Sequence, residues 1–229
     1  MTLTFVQENL IDLGGLERVA RGRNRDIYFL PSGLVGQAEP LILKVPRYSD
    51  RNRRQGFLKR AVYRLWPGSQ RRVISNEARY AQKLATRLKS HSVKVPIPAF
   101  CGFVRTSGGP GALWEAVCNA HGAVAPTLAN IAMAGQIQAM AEPLNRFART
   151  CYALNLVAPD INDRNLAVRG ENASAELVLV DGFGDHRVIS LREIWPARNI
   201  RCLDDRFRKV ARKTGLTYDA GTRRFSLPG

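Results

Sequence analysis

Asp160, Asn165 and Asp181 stand in two short motifs, Val157-Ala-Pro-Asp-Ile-Asn-Asp-Arg-Asn165 and Leu177-Val-Leu-Val-Asp-Gly182. An apolar run (Leu154, Leu156, Val157) leads into Asp160, and a short apolar step (Leu166, Ala167, Val168) follows Asn165. A second run leads into Asp181, after which Gly182 allows a sharp turn. Two short strands flanking a turn would bring the three side chains together. Hard oxygen donors of this kind suit Mg²⁺, which binds through one or two carboxylates and substrate phosphates. One acid is then left to orient a nucleophilic hydroxyl. Each motif alone also reads as an ordinary turn, because Asp and Asn bond their own backbone there and Asp-Gly is a hairpin signal.

Elements able to complete such a site lie upstream. Leu16 to Leu30 reads as strand, turn, strand with Gly22 at the bend, where backbone N–H groups could lie over phosphates. Arg21, Arg23 and Arg25 make this hairpin basic. Leu41-Ile-Leu-Lys-Val45 is a short strand between Pro40 and Pro46. Lys44 sits among its apolar residues, where a charge is costly unless paired. It either faces solvent from an edge strand or points at phosphate oxygens. Ser75 to Leu88 has helical periodicity, with Ser75 or Asn76 as cap. Glu77 then falls in the first turn, favoured there by the helix dipole, or reaches across to Lys44.

Residues 47–72 carry nine basic residues (Arg or Lys) against Asp50, interleaved with apolar and aromatic side chains. This insert could grip nucleic acid or an anionic membrane, or simply be a solvated arm. Ala99 to Arg105 and Gly111 to Val117 read as two strands. Residues 127–157 read as largely helical, with a core stripe through Ile137, Met140, Leu144, Phe147, Cys151 and Leu154 and a new start or kink at Pro143. Ser190 to Glu193 resembles a capping box, with Pro196 limiting that helix. Leu203 to Lys213 is a basic helix closed by Gly215. Residues 1–15 read as a lead-in and residues 216–229 as a loosely held tail.

The chain has 229 residues and a formal net charge of +16, which predicts attraction to polyanions. Its four cysteines are scattered and form no zinc-type pair. No secretory signal or bilayer-spanning apolar run is evident, so the cytoplasm is the expected compartment.

The order of parts, Gly22, Lys44, Glu77, the strand to Val117, Asp160 with Asn165, and Asp181-Gly182, resembles the protein-kinase-like fold. Within it, Gly-Arg-Asn-Arg-Asp-Ile-Tyr (22–28), Asn-Glu-Ala-Arg-Tyr (76–80), Asp-Ile-Asn-Asp-Arg-Asn-Leu (160–166) and Leu-Val-Leu-Val-Asp-Gly (177–182) look closest to the PhoP regulatory network protein YrbL-like family. The resemblance implies an α+β, two-lobed fold. Its small antiparallel-sheet N-lobe would be 1–118, and its reduced, mostly helical C-lobe 119–229. It implies an ATP-dependent phosphotransferase with an unknown acceptor. Lys44 would contact phosphates and pair with Glu77, and Asp160 would be the catalytic carboxylate. Asn165 and Asp181 would hold Mg²⁺, and Glu115 to Val117 would lie along adenine. The chain departs from kinases at Ala20, at Ala158-Pro159 before Asp160, in Asp-Gly-Phe-Gly (181–184), and in lacking an Ala-Pro-Glu segment. A catalytically silent regulator and a polyanion binder working through residues 47–72 are the competing expectations.

Overall fold

The computed structural model describes residues 5–22, 25–34, 36–47, 68–88, 94–184 and 195–228. Contacts divide the chain into two units, Met1–Gln82 with Ala99–Ala116, and Lys83–Pro98 with Val117–Gly229.

The first unit is built on alternation. Strand β4 (Leu41–Pro46) sends Leu41, Leu43 and Val45 into a core with Tyr28, Leu30, Val104 and Leu113. Its opposite face therefore carries Ile42 and Lys44. β4 lies between β3 (Arg25–Leu30) and β6 (Gly109–Glu115), antiparallel to both. With β1 (Phe5–Ile11), β2 (Arg18–Arg21) and β5 (Phe100–Thr106) the sheet has six strands in the order β1-β5-β6-β4-β3-β2. The turn joining β2 to β3 is closed by Gly22 N–H donating to the Arg25 carbonyl at 2.8 Å. β1 pairs parallel to β5, so part of the expected lead-in is an edge strand.

Helix α1 (Gly68–Leu88) begins well before Ser75. Ser75 and Asn76 are therefore not caps. Glu77 is more than two turns into the helix, beyond the reach of the terminal dipole. Residues 48–67 of the basic insert lie outside the described residues, as does the expected capping box at Ser190 to Glu193.

The second unit is a helical layer around an aromatic cluster. Helix α2 (Leu128–Met133), the 3₁₀ turn Ile137–Met140 and helix α3 (Ala141–Ala153) make up the largely helical region, and Pro143 falls in the first turn of α3, at the expected new start. Helix α4 (Pro196–Thr214) begins seven residues before the expected Leu203, with Pro196 at its first position. Gly215 ends it in the left-handed conformation at φ 78°. Phe207 of α4 meets Phe147 at 6.2 Å and Phe225 at 5.7 Å, both edge-on. Strands β7 (Leu166–Arg169) and β8 (Glu176–Leu179) form a hairpin behind the Asp160 loop.

The C-terminal residues correct the expectation of a loose tail. β9 (Thr217–Asp219) and β10 (Arg224–Ser226) pair antiparallel, and Phe225 is buried. The buried side chain of Asn145 accepts from Phe225 N–H at 2.6 Å and donates to its carbonyl at 3.1 Å. Tyr152 and Tyr218 both donate to Asp204. Burial, with Asp204 adding to it, pushes the Tyr218 hydroxyl up to about 12, so it stays a donor at neutral pH. Among the described residues no helix is long and apolar enough to cross a membrane.

Candidate functional site

In the second unit, backbone hydrogen bonds stitch the two sequence motifs side by side. Asp160 N–H donates to the Gly182 carbonyl at 3.3 Å, Val180 N–H to Asn165 at 2.9 Å, and Gly184 N–H to Val157 at 2.7 Å. Gly182 has φ +79°, and a Cβ placed on it would stand 2.6 Å from Asp160 Cβ. Only glycine allows this approach. The structure thus brings the segments bearing Asp160, Asn165 and Asp181 together.

The loop is shaped by Asn162, which sequence reasoning passed over. Its Oδ1 accepts from the N–H groups of Arg164 (3.0 Å) and Asn165 (3.2 Å), as a turn-forming Asn does. Its amide donates to the Asp160 carbonyl at 2.9 Å and to Oδ1 at 3.3 Å. Asn165 donates to the same carbonyl at 3.0 Å and to Oδ2 at 3.3 Å. Both oxygens of the exposed Asp160 carboxylate are thereby oriented by neutral amides. Asp181 accepts from Gly182 N–H at 2.8 Å.

Two further anchors hold this loop. Buried Asp163 takes an ion pair from Lys213 at 2.7 Å, and its carbonyl accepts from Ala129 N–H at 3.0 Å. Asn199, fully buried, donates to Asn155 Oδ1 at 2.9 Å and to the Leu156 carbonyl at 3.0 Å. Helix α4 therefore grips the loop at both ends.

In the first unit, sheet register places two cations on one face. Ile27 pairs with Lys44 and Arg25 with Pro46, so Arg25 and Lys44 are near neighbours on the side away from the apolar core. Both converge on Glu77, which is 1% exposed. Arg25 binds it bidentately at 2.7 and 2.8 Å. Lys44, 4% exposed, lies 3.8 Å from Glu77 Oε2 and 5.0 Å from the centroid of the Trp114 ring. The expected Lys44–Glu77 pair is present, but Arg25 is the closer partner. Its planar fork matches a carboxylate as a lysine cannot.

At the expected adenine-contacting stretch, several main-chain groups are used within their own unit. Glu115 N–H donates to Ala99 at 2.9 Å and Ala116 N–H to Pro40 at 3.2 Å. The Val117 carbonyl accepts from Ala125 at 2.8 Å, and its side chain packs with Ala125, Ala167 and Val178. The Glu115 carboxylate accepts from Ala99 N–H at 3.2 Å. Among the described residues no three His, Cys, Asp or Glu side chains cluster as a metal site.

These observations define a mixed α+β protein with a buried Arg–Glu–Lys cluster in one unit and an Asp–Asn loop clasped to an Asp-Gly turn in the other. The sequence model of the family described as PhoP regulatory network protein YrbL matches residues 11–215, and the chain belongs to that family. No curated protein matches the chain.

Proposed function

We propose that this protein is a kinase-like, two-lobed phosphotransferase that uses MgATP on an acceptor of unknown identity. The observation that carries this most directly is the backbone clasp that brings the Asp160, Asn165 and Asp181 segments together. Asn165 donates through Nδ2 to Asp160, which leaves its amide oxygen as an acceptor beside the Asp181 motif. Carboxylate and amide oxygens of this kind fit Mg²⁺. Held by Asn165 and Asp181, the ion would act as a Lewis acid that neutralises phosphate charge. Lys44 would contribute a buried positive charge toward the phosphates, with Gly22 in the adjoining turn and Glu77 setting the direction of the Lys44 side chain. Glu115 and Val117 would flank adenine. Asp160 would accept a hydrogen bond from the acceptor hydroxyl, orient it and take its proton. The amides of Asn162 and Asn165 keep that carboxylate aimed.

Asp160→Ala is expected to lower turnover by about 10²–10⁴-fold while largely sparing nucleotide affinity. ADP release from MgATP, measured beside nucleotide affinity, checks this. Unchanged ADP release in the variant would remove Asp160 from the chemistry. A second reading, a silent regulator that binds MgATP without turnover, is favoured by Ala158-Pro159 standing where kinases place His-Arg before the catalytic Asp. The family description, a regulatory network protein, accords with it. It expects nucleotide binding with no ADP formed by the wild type.

A further inference from the structure

Helix α4 buries one face and presents a line of cations on the other. Asn199, Leu203, Phe207, Val210, Ala211 and Thr214 point into the second unit. The outward positions are Arg198, Arg201, Asp205, Arg208, Lys209 and Arg212, all exposed. At 3.6 residues per turn these six fall within about 100° of arc, and at 1.5 Å per residue they span about 21 Å. Arg208 is paired with Asp205 at 3.0 Å. Among the described residues Arg198, Arg201, Lys209 and Arg212 make no ion pair.

Helix stability does not account for this stripe. Cations near the C-terminus suit the helix dipole, but Arg198 and Arg201 lie near the N-terminal end, where a cation is unfavourable, and the first turn holds no acid. Arg198 with Arg201, Arg208 with Arg212 and Lys209 with Arg212 are like-charged pairs at three- or four-residue spacing, which is unfavourable. Asp205, at three- or four-residue spacing from Arg201, Arg208 and Lys209, offsets part of this repulsion, but one acid stands among five cations.

We propose that this face of α4 binds the phosphate backbone of a nucleic acid, independently of base sequence. A helix lying on a membrane inserts an apolar face, and the apolar face of α4 is already buried in its own core. The centre of a protein interface is rich in aromatic and apolar side chains, and the stripe has none. Phosphate contact needs only rigidly held, well-spaced cations. A 19-residue helix packed on Phe207 and Leu203 holds them so.

The test uses the full chain, a mixed-sequence 20-base-pair DNA duplex, and fluorescence anisotropy between 50 and 200 mM salt. Each phosphate contact contributes about 0.9 to the slope of log affinity against log salt. The variant R198Q/R201Q/K209Q/R212Q is therefore expected to lose about 3–4 from that slope. Its affinity should fall about 10²-fold less than the wild type's across this salt range. Circular dichroism should show it folded, since all four substituted side chains are exposed. A charge-matched control, R79Q/K83Q/K94Q/R105Q, should keep most of the wild-type slope. Equal slopes in the stripe variant and wild type would overturn the proposal, as would equal losses in the two variants or no wild-type binding at 50 mM salt. So would binding to phosphatidylserine vesicles that the stripe variant loses while keeping the duplex, which would assign the face to a membrane.

Discussion

Glu77→Ala is expected to destabilise the protein by about 3–5 kcal/mol, the cost of removing one member of a buried ion cluster. Arg25 and Lys44 have side-chain exposures of 15% and 4%, so neither can turn fully to water without moving strand β3 or β4. For a chain of this length that is a fall in melting temperature of order 10 °C. The dipole explanation for Glu77 would give a far smaller effect, below about 1 kcal/mol. A double-mutant cycle separates the two cations. Arg25 makes two short charge-assisted bonds to Glu77 and Lys44 makes one long contact. In an Arg25→Met background, Glu77→Ala should therefore cost much less than in the wild type. In a Lys44→Met background most of the cost should remain. Denaturant unfolding of the single and double variants measures both couplings. A larger Lys44–Glu77 coupling would mean that Arg25 is only a bystander to the pair.

Gly182→Ala should be nearly as damaging, for a different reason. The left-handed backbone at φ +79° costs an L-residue about 1–2 kcal/mol. The added methyl would meet Asp160 Cβ at 2.6 Å and its carbonyl at 3.2 Å, and relieving such overpacking typically costs a further 1–3 kcal/mol. A built-in comparison exists at Gly215. Its φ is +78°, but nothing lies within 4 Å of an added Cβ. Gly215→Ala should show the backbone cost alone. The difference between the two variants in denaturant unfolding then reports the tightness of the clasp around Asp160. Equal losses would indicate that the two segments part readily.

Much of the candidate site was legible because its signals are local. Asp160 to Asn165 and Asp181-Gly182 are short turn motifs flanked by apolar runs. Lys44 stands out as a charge inside an apolar strand. What escaped notice depends on long-range pairing. Arg25 is one of four arginines in a basic hairpin, and only the β3–β4 register, together with a helix residue 52 positions away, distinguishes it. Asn162 reads as an ordinary loop residue until its four hydrogen bonds are seen. Helix α1 was placed too late because Ser75-Asn76 looks like a cap, although helix periodicity alone does not fix where a helix begins. β1 gives no clean alternation, and its parallel pairing with β5 joins residues almost a hundred positions apart. The C-terminal hairpin has strands of three residues. Its order comes from Phe225 in the aromatic cluster and from Asn145, 80 positions upstream.

The most direct test of the proposed nucleotide site is the thermal stability of wild type and Asp181→Ala with Mg²⁺ and ATP added separately and together. At about a hundredfold excess over Kd, binding adds about 2.7 kcal/mol, and each kcal/mol is worth about 2–4 °C in a chain of this size. The expected result is a rise of several degrees in the wild type that requires both Mg²⁺ and ATP and is lost in Asp181→Ala. No rise, a rise that inorganic polyphosphate reproduces without Mg²⁺, or an equal rise in Asp181→Ala would contradict the proposed site.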